Sequence, residues 1–367
     1  MKWLHLFKIP LTLIVVGAIT FTAAWMSVQQ PQAVNVADAP TPNASVQGDV
    51  PPTDPSAESI DSAPIETVPL GSPANRRGVY LTAHAAANTD LLNRTISRSL
   101  EFGYNALVID VKDNSGTLAY DSEIPLAQQI GAVLPRYDLK QMVELLHEKG
   151  IYFIARLVVF SDPKLAKHFG SQDEWVLASN AQAVAYNLAV AEEVAATGVD
   201  EIQFDYIRFP DEGSIGENYA GRSAAVASFL QQANALVGNH VHLSADVFGR
   251  TLWDWNPKGI DPIGQVLEQM GPSVDYLSPM IYPSHYEKYF QDRPYEVVHR
   301  GVSVGLERGL QLRPYLQSFD MRIPSGMSYT HYIREQLRAL KELGVRGYLW
   351  WNPRGDYSDL WAALSGR

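Results

Sequence analysis

The chain has 367 residues, 46% hydrophobic and 19% charged, which suits one barrel-sized unit with appendages and supplies a large apolar core. Its formal charge of −11 argues against nucleic acid as a partner, since phosphate recognition needs a basic face, and favours neutral or cationic ligands. With no cysteine, disulfides, thiolate catalysis, iron–sulfur clusters and a lipid-modified cysteine anchor are all excluded.

Residues 1–27 read as a signal peptide or an uncleaved signal anchor. Lys2 and Lys8 mark a short basic region, and a nearly uncharged stretch runs from Ile9 to Met26. Ala23 and Ala24 permit cleavage, but Trp25 makes the site poor, which favours the anchor. Residues 28–75 contain no lysine, arginine or aromatic residue and are rich in Pro, Ala, Ser and Asp. A segment that cannot bury apolar area is expected to be disordered, a linker between the first segment and residues 76–367. The coil estimate of roughly 5–6 Å × √n would let it hold the folded unit tens of ångströms from a membrane. The reading is thus an extracytoplasmic protein, membrane-anchored through its N-terminus or secreted after cleavage, with its oligomeric state left open.

From Arg76 onward, short β-branched and aromatic runs alternate with helical stretches, the pattern of repeated βα units around a parallel sheet. Eight runs are predicted as strands: Gly78–Thr82, Ala106–Val111, Tyr152–Val159, Glu201–Tyr206, His242–Val247, Tyr276–Ile281, Leu312–Gln317 and Gly347–Trp351. Helices are predicted between and after them at Leu91–Phe102, Leu139–Lys149, Ala181–Thr197, Gly221–Val237, Ile263–Met270, Pro294–Arg308 and Tyr329–Leu343. Gly103, Gly150, Gly198, Gly309 and Gly344 punctuate the helix ends. Eight such units make an α/β fold of the (β/α)8 TIM-barrel type. An open doubly wound sheet is the rival, but the glycine-rich phosphate loop it usually carries is missing.

Polar residues gather at the C-terminal ends of these strands, the face on which barrel enzymes place their active sites. They are His84, Asp110, Lys112, Asp113, Arg156, Asp205, Arg208, Asp246, Tyr282, His285, Gln317 and Asn352. In Glu201-Ile-Gln-Phe-Asp-Tyr-Ile-Arg-Phe-Pro210, alternation puts Gln203 and Asp205 on one face. Arg208 is near enough to pair with Asp205 or to grip a substrate oxygen. The next strand ends in Asp246 on the same face as Ser244, so two carboxyls meet at adjacent strand ends. Glycoside hydrolysis needs such a pair, one ionised as nucleophile and one protonated as acid, and like charges side by side push the two apart. Asp205 is expected as nucleophile and Asp246 as acid, with the reverse assignment or Asp110 as partner left open. Asp110 and Lys112 share a face by period two and are expected to form an ion-paired floor or to bind substrate hydroxyls. A Schiff-base role for Lys112 is the weaker alternative. Three carboxylates with no histidine cluster give no metal site, and no cofactor is expected. Trp175, Trp253, Trp255, Tyr282, Tyr286, Trp350 and Trp351 follow strand ends as candidate sugar platforms, whereas Trp361 reads as core.

These motifs resemble a bacterial family of glycosyl hydrolase-like (β/α)8 barrels classed as a domain of unknown function. The resemblance rests on Gly78-Val-Tyr-Leu-Thr82, Leu107-Val-Ile-Asp-Val-Lys-Asp113, Ile154-Ala-Arg-Leu-Val-Val-Phe160 with Asp162-Pro163, and Phe204-Asp-Tyr-Ile-Arg-Phe-Pro210. It continues through Ser244-Ala-Asp-Val-Phe-Gly249, Pro279-Met-Ile-Tyr-Pro-Ser-His-Tyr286, Arg313-Pro-Tyr-Leu-Gln317 and Trp350-Trp-Asn-Pro353, covering about Arg76 to Trp361. It implies a barrel distantly similar to the alpha-amylase superfamily, in which a strand-4 Asp is the nucleophile and a strand-5 Glu the acid. Asp246 in place of that Glu is a departure, one methylene shorter in reach. The expected activity is cleavage of O-glycosidic bonds in an envelope or extracellular polysaccharide. Asp205 and Asp246 are the catalytic candidates. Asp110, Lys112, Arg156, Arg208, Tyr282, His285, Gln317, Trp350 and Asn352 are the candidates for substrate contact. A carbohydrate-binding barrel without turnover is the alternative.

Overall fold

The computed structural model describes residues 72–211, 219–253 and 262–365. The hydrophobic N-terminal segment, almost all of the linker and Trp255 lie outside these residues. Among the described residues no helix is long and apolar enough to cross a membrane.

Eight parallel strands close into a barrel: β1 (Arg77–Leu81), β2 (Ala106–Lys112), β3 (Tyr152–Val158), β4 (Glu201–Asp205), β5 (His242–Phe248), β6 (Tyr276–Ile281), β7 (Tyr315–Gln317) and β8 (Tyr348–Trp351). Each pairs with the next, and β8 returns to β1 through Gly78↔Leu349. The predicted strand order and the (β/α)8 class are both observed. The helices that follow the strands are α1 (Thr89–Glu101), α2 (Leu139–Glu148), α3 (Ala181–Ala195), α4 (Tyr219–Val237), α5 (Leu267–Met270), α6 (Pro294–Glu307), α7 (Tyr329–Glu342) and α8 (Ser358–Leu364).

Local chemistry sets these helices. Side chains of Asn88, Asp138, Asn180 and Ser328 accept first-turn N–H groups of α1, α2, α3 and α7, replacing bonds the helix cannot make itself. The five predicted terminal glycines all have positive φ. The apolar stripe of α1 buries Leu92 and Ile96, and that of α7 buries Tyr332, Ile333, Ala339 and Leu340. These faces meet the outward side chains of the strands, among them Leu107, Ile109, Phe153, Ile202 and Phe204, in one continuous core. Burial of each such side chain contributes roughly 1.5–3 kcal/mol.

Most boundaries fall within two residues of expectation, and two strand or helix starts differ by more. The seventh strand begins at Tyr315 rather than Leu312 because Pro314 has no N–H for the ladder; Leu312 keeps only an isolated bridge to Leu277. The fifth helix begins at Leu267 rather than Ile263, because Gly264 adopts φ +81 and breaks the turn.

Inside the barrel the polar residues stack in tiers. Lowest is the buried ion pair Arg313–Glu201, joined by the hydroxyls of Ser244 and Tyr152. Above it Tyr315 donates to Gln203, which donates to Ser278. The uppermost tier, at the strand C-termini, is the candidate site.

Candidate active site

A cavity of about 430 Å³ opens at the C-terminal mouth, its walls including Asp205, Asp246, Arg156, Arg208, Tyr282 and His285. Asp205 ends β4 facing inward, while its neighbour Phe204 faces outward against Phe229. The next residue, Tyr206, has a left-handed backbone (φ 51), which for a residue with a Cβ costs about 1–2 kcal/mol. That turn brings its N–H to 2.6 Å from Asp205 Oδ1. Strain of this kind persists where the surroundings impose it, commonly at sites of function.

Arg156, from the end of β3, holds the other oxygen. Its Nε and Nη2 donate to Asp205 Oδ2 at 3.0 and 2.6 Å, and its Nη1 donates to Asp110 Oδ1 at 2.5 Å. Asp110 also receives the Tyr80 hydroxyl at 2.6 Å. The guanidinium lies over the rings of Tyr80 and Trp351, which are themselves stacked at 3.8 Å. Arg156 is therefore a buried bridge across the floor linking two carboxylates. Burial raises the Asp110 carboxyl above its ordinary range, although Arg156 and Tyr80 pull it down.

Asp246 stands on β5 beside this arrangement, one step beyond the Phe204↔Ala245 pairing. It is 1% exposed, and its Oδ1 has no hydrogen-bond partner. Burial, then the charge of Asp205, push its carboxyl well above the ordinary aspartate value of 3.8. The neutral, proton-carrying form is favoured, the state a general acid requires. The Tyr282 hydroxyl, also buried in the pocket, has no partner, and burial, Asp246 and Asp205 push it up in turn. His285 lies at the rim; burial and Arg322 lower its imidazole and favour the neutral ring. Gly249 forms part of the wall because a Cβ there would lie 2.4 Å from the Tyr286 hydroxyl and 2.6 Å from the Met280 carbonyl oxygen.

Five expected contact residues do not line the pocket: Asp110 is held by Arg156 and Tyr80 in its floor, and four others lie elsewhere. The register of β2 shifts between Asp110 and Lys112, so the two do not share a face. Lys112 is fully buried outside the pocket, in an ion pair with Asp162 at 2.8 Å and bonded to Asn187 and the Val158 carbonyl. Trp350 points outward and donates to Tyr104, whereas Trp351, one position on, lines the pocket. Gln317 accepts from Ser284 N–H and Tyr332 and donates to two carbonyls, bracing the loop after β7. Asn352 braces the loop after β8 through the carbonyls of Ser318 and Asp356. Arg208 does line the pocket, but the expected bond to Asp205 is made by Arg156 instead. Trp175 packs on Tyr206 and Arg208, and Trp253 on Tyr286 and Phe290.

The wall also includes residues not singled out beforehand: Tyr206, Asp211, Phe248, Arg250, Gln265, Met280 and Tyr315. Tyr80 reaches Asp110 from β1; its phase in Gly78–Thr82 was a usable signal, since inward positions on neighbouring strands meet. Among the described residues no cluster of three or more His, Asp or Glu side chains is placed to hold a metal.

A buried pair of carboxyls, one bonded to an arginine and one in an environment that favours its acid form, at the mouth of a (β/α)8 barrel, defines a glycoside hydrolase-like domain. Residues 78–357 match the family described as "Putative glycosyl hydrolase domain", and the chain belongs to that family. A hypothetical protein from Ruminiclostridium thermocellum ATCC 27405 is 32% identical over 46% of this chain and 97% of its own (TM-score 0.43). The PgaB (BpsB) glycoside hydrolase domain from Bordetella bronchiseptica shares the fold at TM-score 0.61, with 16% identity over 80% of this chain and 98% of that one. The endo-beta-1,4-mannanase from Thermotoga petrophila does so at 0.56, with 11% identity over 81% and 76%. No curated protein matches the chain in sequence.

Proposed function

We propose that the protein is a glycoside hydrolase that cleaves O-glycosidic bonds of an envelope or extracellular polysaccharide. Asp246 acts as the general acid and Asp205 as the anionic partner at the anomeric carbon. The observation that carries this reading is the contrast between the two carboxyls. Asp246 is buried with a free oxygen and favours its protonated form, ready to protonate a leaving glycosidic oxygen. Asp205 is bonded to Arg156 through Oδ2. Among the described residues its Oδ1 accepts only the Tyr206 N–H, which leaves a lone pair to meet developing positive charge on the sugar. Family membership supports the same chemistry. The N-terminal segment, in this proposal, delivers the domain outside the cytoplasm and tethers it to the membrane.

Asp205→Asn is expected to lower release of reducing ends from a panel of polysaccharides by about a thousandfold or more. The variant stays folded, because Arg156 keeps Asp110 as counter-ion. Full activity of Asp205→Asn would overturn the assignment. Glycan binding without turnover in the wild-type chain would favour the binding-only barrel.

A further inference from the structure

Arg208 is not needed for the two-carboxylate chemistry, and its surroundings ask for a different partner. It follows Asp205 by three residues and lines the same cavity. Its guanidinium lies against Trp175 and Phe248, 4.6 and 4.5 Å from their ring centroids, which remove water from it. Its side chain donates once, from Nη1 to the carbonyl oxygen of Phe209 at 2.9 Å. Among the described residues no carboxylate forms an ion pair with it. The neighbouring Arg250 lies 4.5 Å from the same Phe248 ring, but its charge is matched by Asp211 through two bonds of 3.0 and 2.6 Å. Asp205 is matched by Arg156. Burial works against the charge of Arg208, with Asp205, Tyr206 and Asp211 favouring it and Arg250 opposing it.

The ring faces attract the cation but supply no negative charge, so a half-buried guanidinium with no contacting counter-ion still favours a ligand that brings one. A guanidinium held against two rings presents its N–H edge as a planar fork, the shape that matches a carboxylate. Hydroxyls of a neutral sugar would satisfy the donors but not the charge.

We infer that Arg208 forms a subsite for the carboxylate of an acidic sugar, so that the substrate is a uronate-containing polysaccharide. The inference rests on the reading of the pocket as a glycoside hydrolase site and names its substrate class. It departs from the preference for neutral or cationic ligands that the whole-chain charge suggests, because the field within a pocket is set by the groups lining it.

The test is titration of the full chain with methyl glycosides of glucuronic, galacturonic and mannuronic acid, each against its neutral parent, followed by calorimetry or ligand-observed NMR. At least one uronate is expected to bind about tenfold or more tightly than its neutral parent. Arg208→Gln should abolish that preference, bringing uronate binding down to that of the neutral parent, while the melting temperature is kept. Arg208→Lys, which keeps charge but not the fork, should retain part of it. Equal binding of uronates and neutral parents, binding of none, or a preference that survives Arg208→Gln would overturn the inference. Hydrolysis of neutral polysaccharides alone would overturn it too, yet leave the hydrolase reading standing. An Arg208-dependent uronate preference in a chain that hydrolyses no glycan would instead sink the hydrolase reading and keep the subsite.

Discussion

Asp205 and Asp246 carry the same functional group in one pocket, and their neighbours give them opposite environments. Asp205 accepts from a guanidinium and a backbone N–H. Asp246 is buried with one oxygen unpartnered beside that charge. The arrangement has a stability consequence. A carboxyl raised in the fold above its unfolded value favours the folded state fully at pH below that unfolded value, and the advantage is lost as pH rises through the folded value. Asp246→Asn, neutral at every pH, should therefore melt at a higher temperature than wild type at pH 7, with the difference closing as pH falls toward 3.8. Its turnover should fall by about 10²–10⁴. Thermal melts of both proteins across this pH range would check the claim, and a lower melting temperature at pH 7 would refute it.

At the scale of the element, the bulge in β2 separates two residues that simple alternation would put together. Asp110 stays on the inner face and anchors Arg156; Lys112 turns outward and meets Asp162 and Asn187 under α3. Lys112 is thus part of the support behind the site. Lys112→Ala should destabilise the barrel by about 3–5 kcal/mol, since it leaves the Asp162 carboxylate buried without its cation. Borohydride treatment with substrate should trap no adduct on Lys112, and mass spectrometry of its peptide would show one if a Schiff base formed. The helices tell a simpler story. Caps at Asn88, Asp138, Asn180 and Ser328 are local, so their starts were legible within two residues of the observed ones. The two larger misses, at Leu312 and Ile263, came from Pro314 and Gly264, single residues whose backbone limits outweigh an apolar run.

For the whole molecule, the barrel closes on itself, with β8 paired to β1. A chain beginning at Ala63 should fold with one cooperative melt and hydrolyse a soluble oligosaccharide at the rate of the full chain. The full chain expressed with its N-terminus should partition into membranes and resist carbonate extraction. A full chain that stays in the soluble fraction, intact by N-terminal sequencing, would remove the anchor from the proposal.

What the sequence by itself determined is what repeats: eight apolar strands, their helices, the glycines that end five of them, and the rule that polar residues at strand C-termini face one mouth. These follow from periodicity and from bonds made within a few residues. Asp205, Asp246, Arg156, Arg208, Tyr282 and His285 were legible that way, and all six line the pocket. The tertiary structure alone decided which partner each one meets. Arg156 rather than Arg208 bonds to Asp205, because neighbouring strands bring β3 and β4 side chains together across the barrel floor. Trp351 rather than Trp350 faces the site, and Lys112, Gln317 and Asn352 turn to structural bonds, because register and bulges set the inward phase. The raised carboxyl of Asp246 and the lack of a contacting counter-ion at Arg208 are also tertiary properties: burial and the spacing of charges from separate strands create them, and no single stretch of sequence contains either.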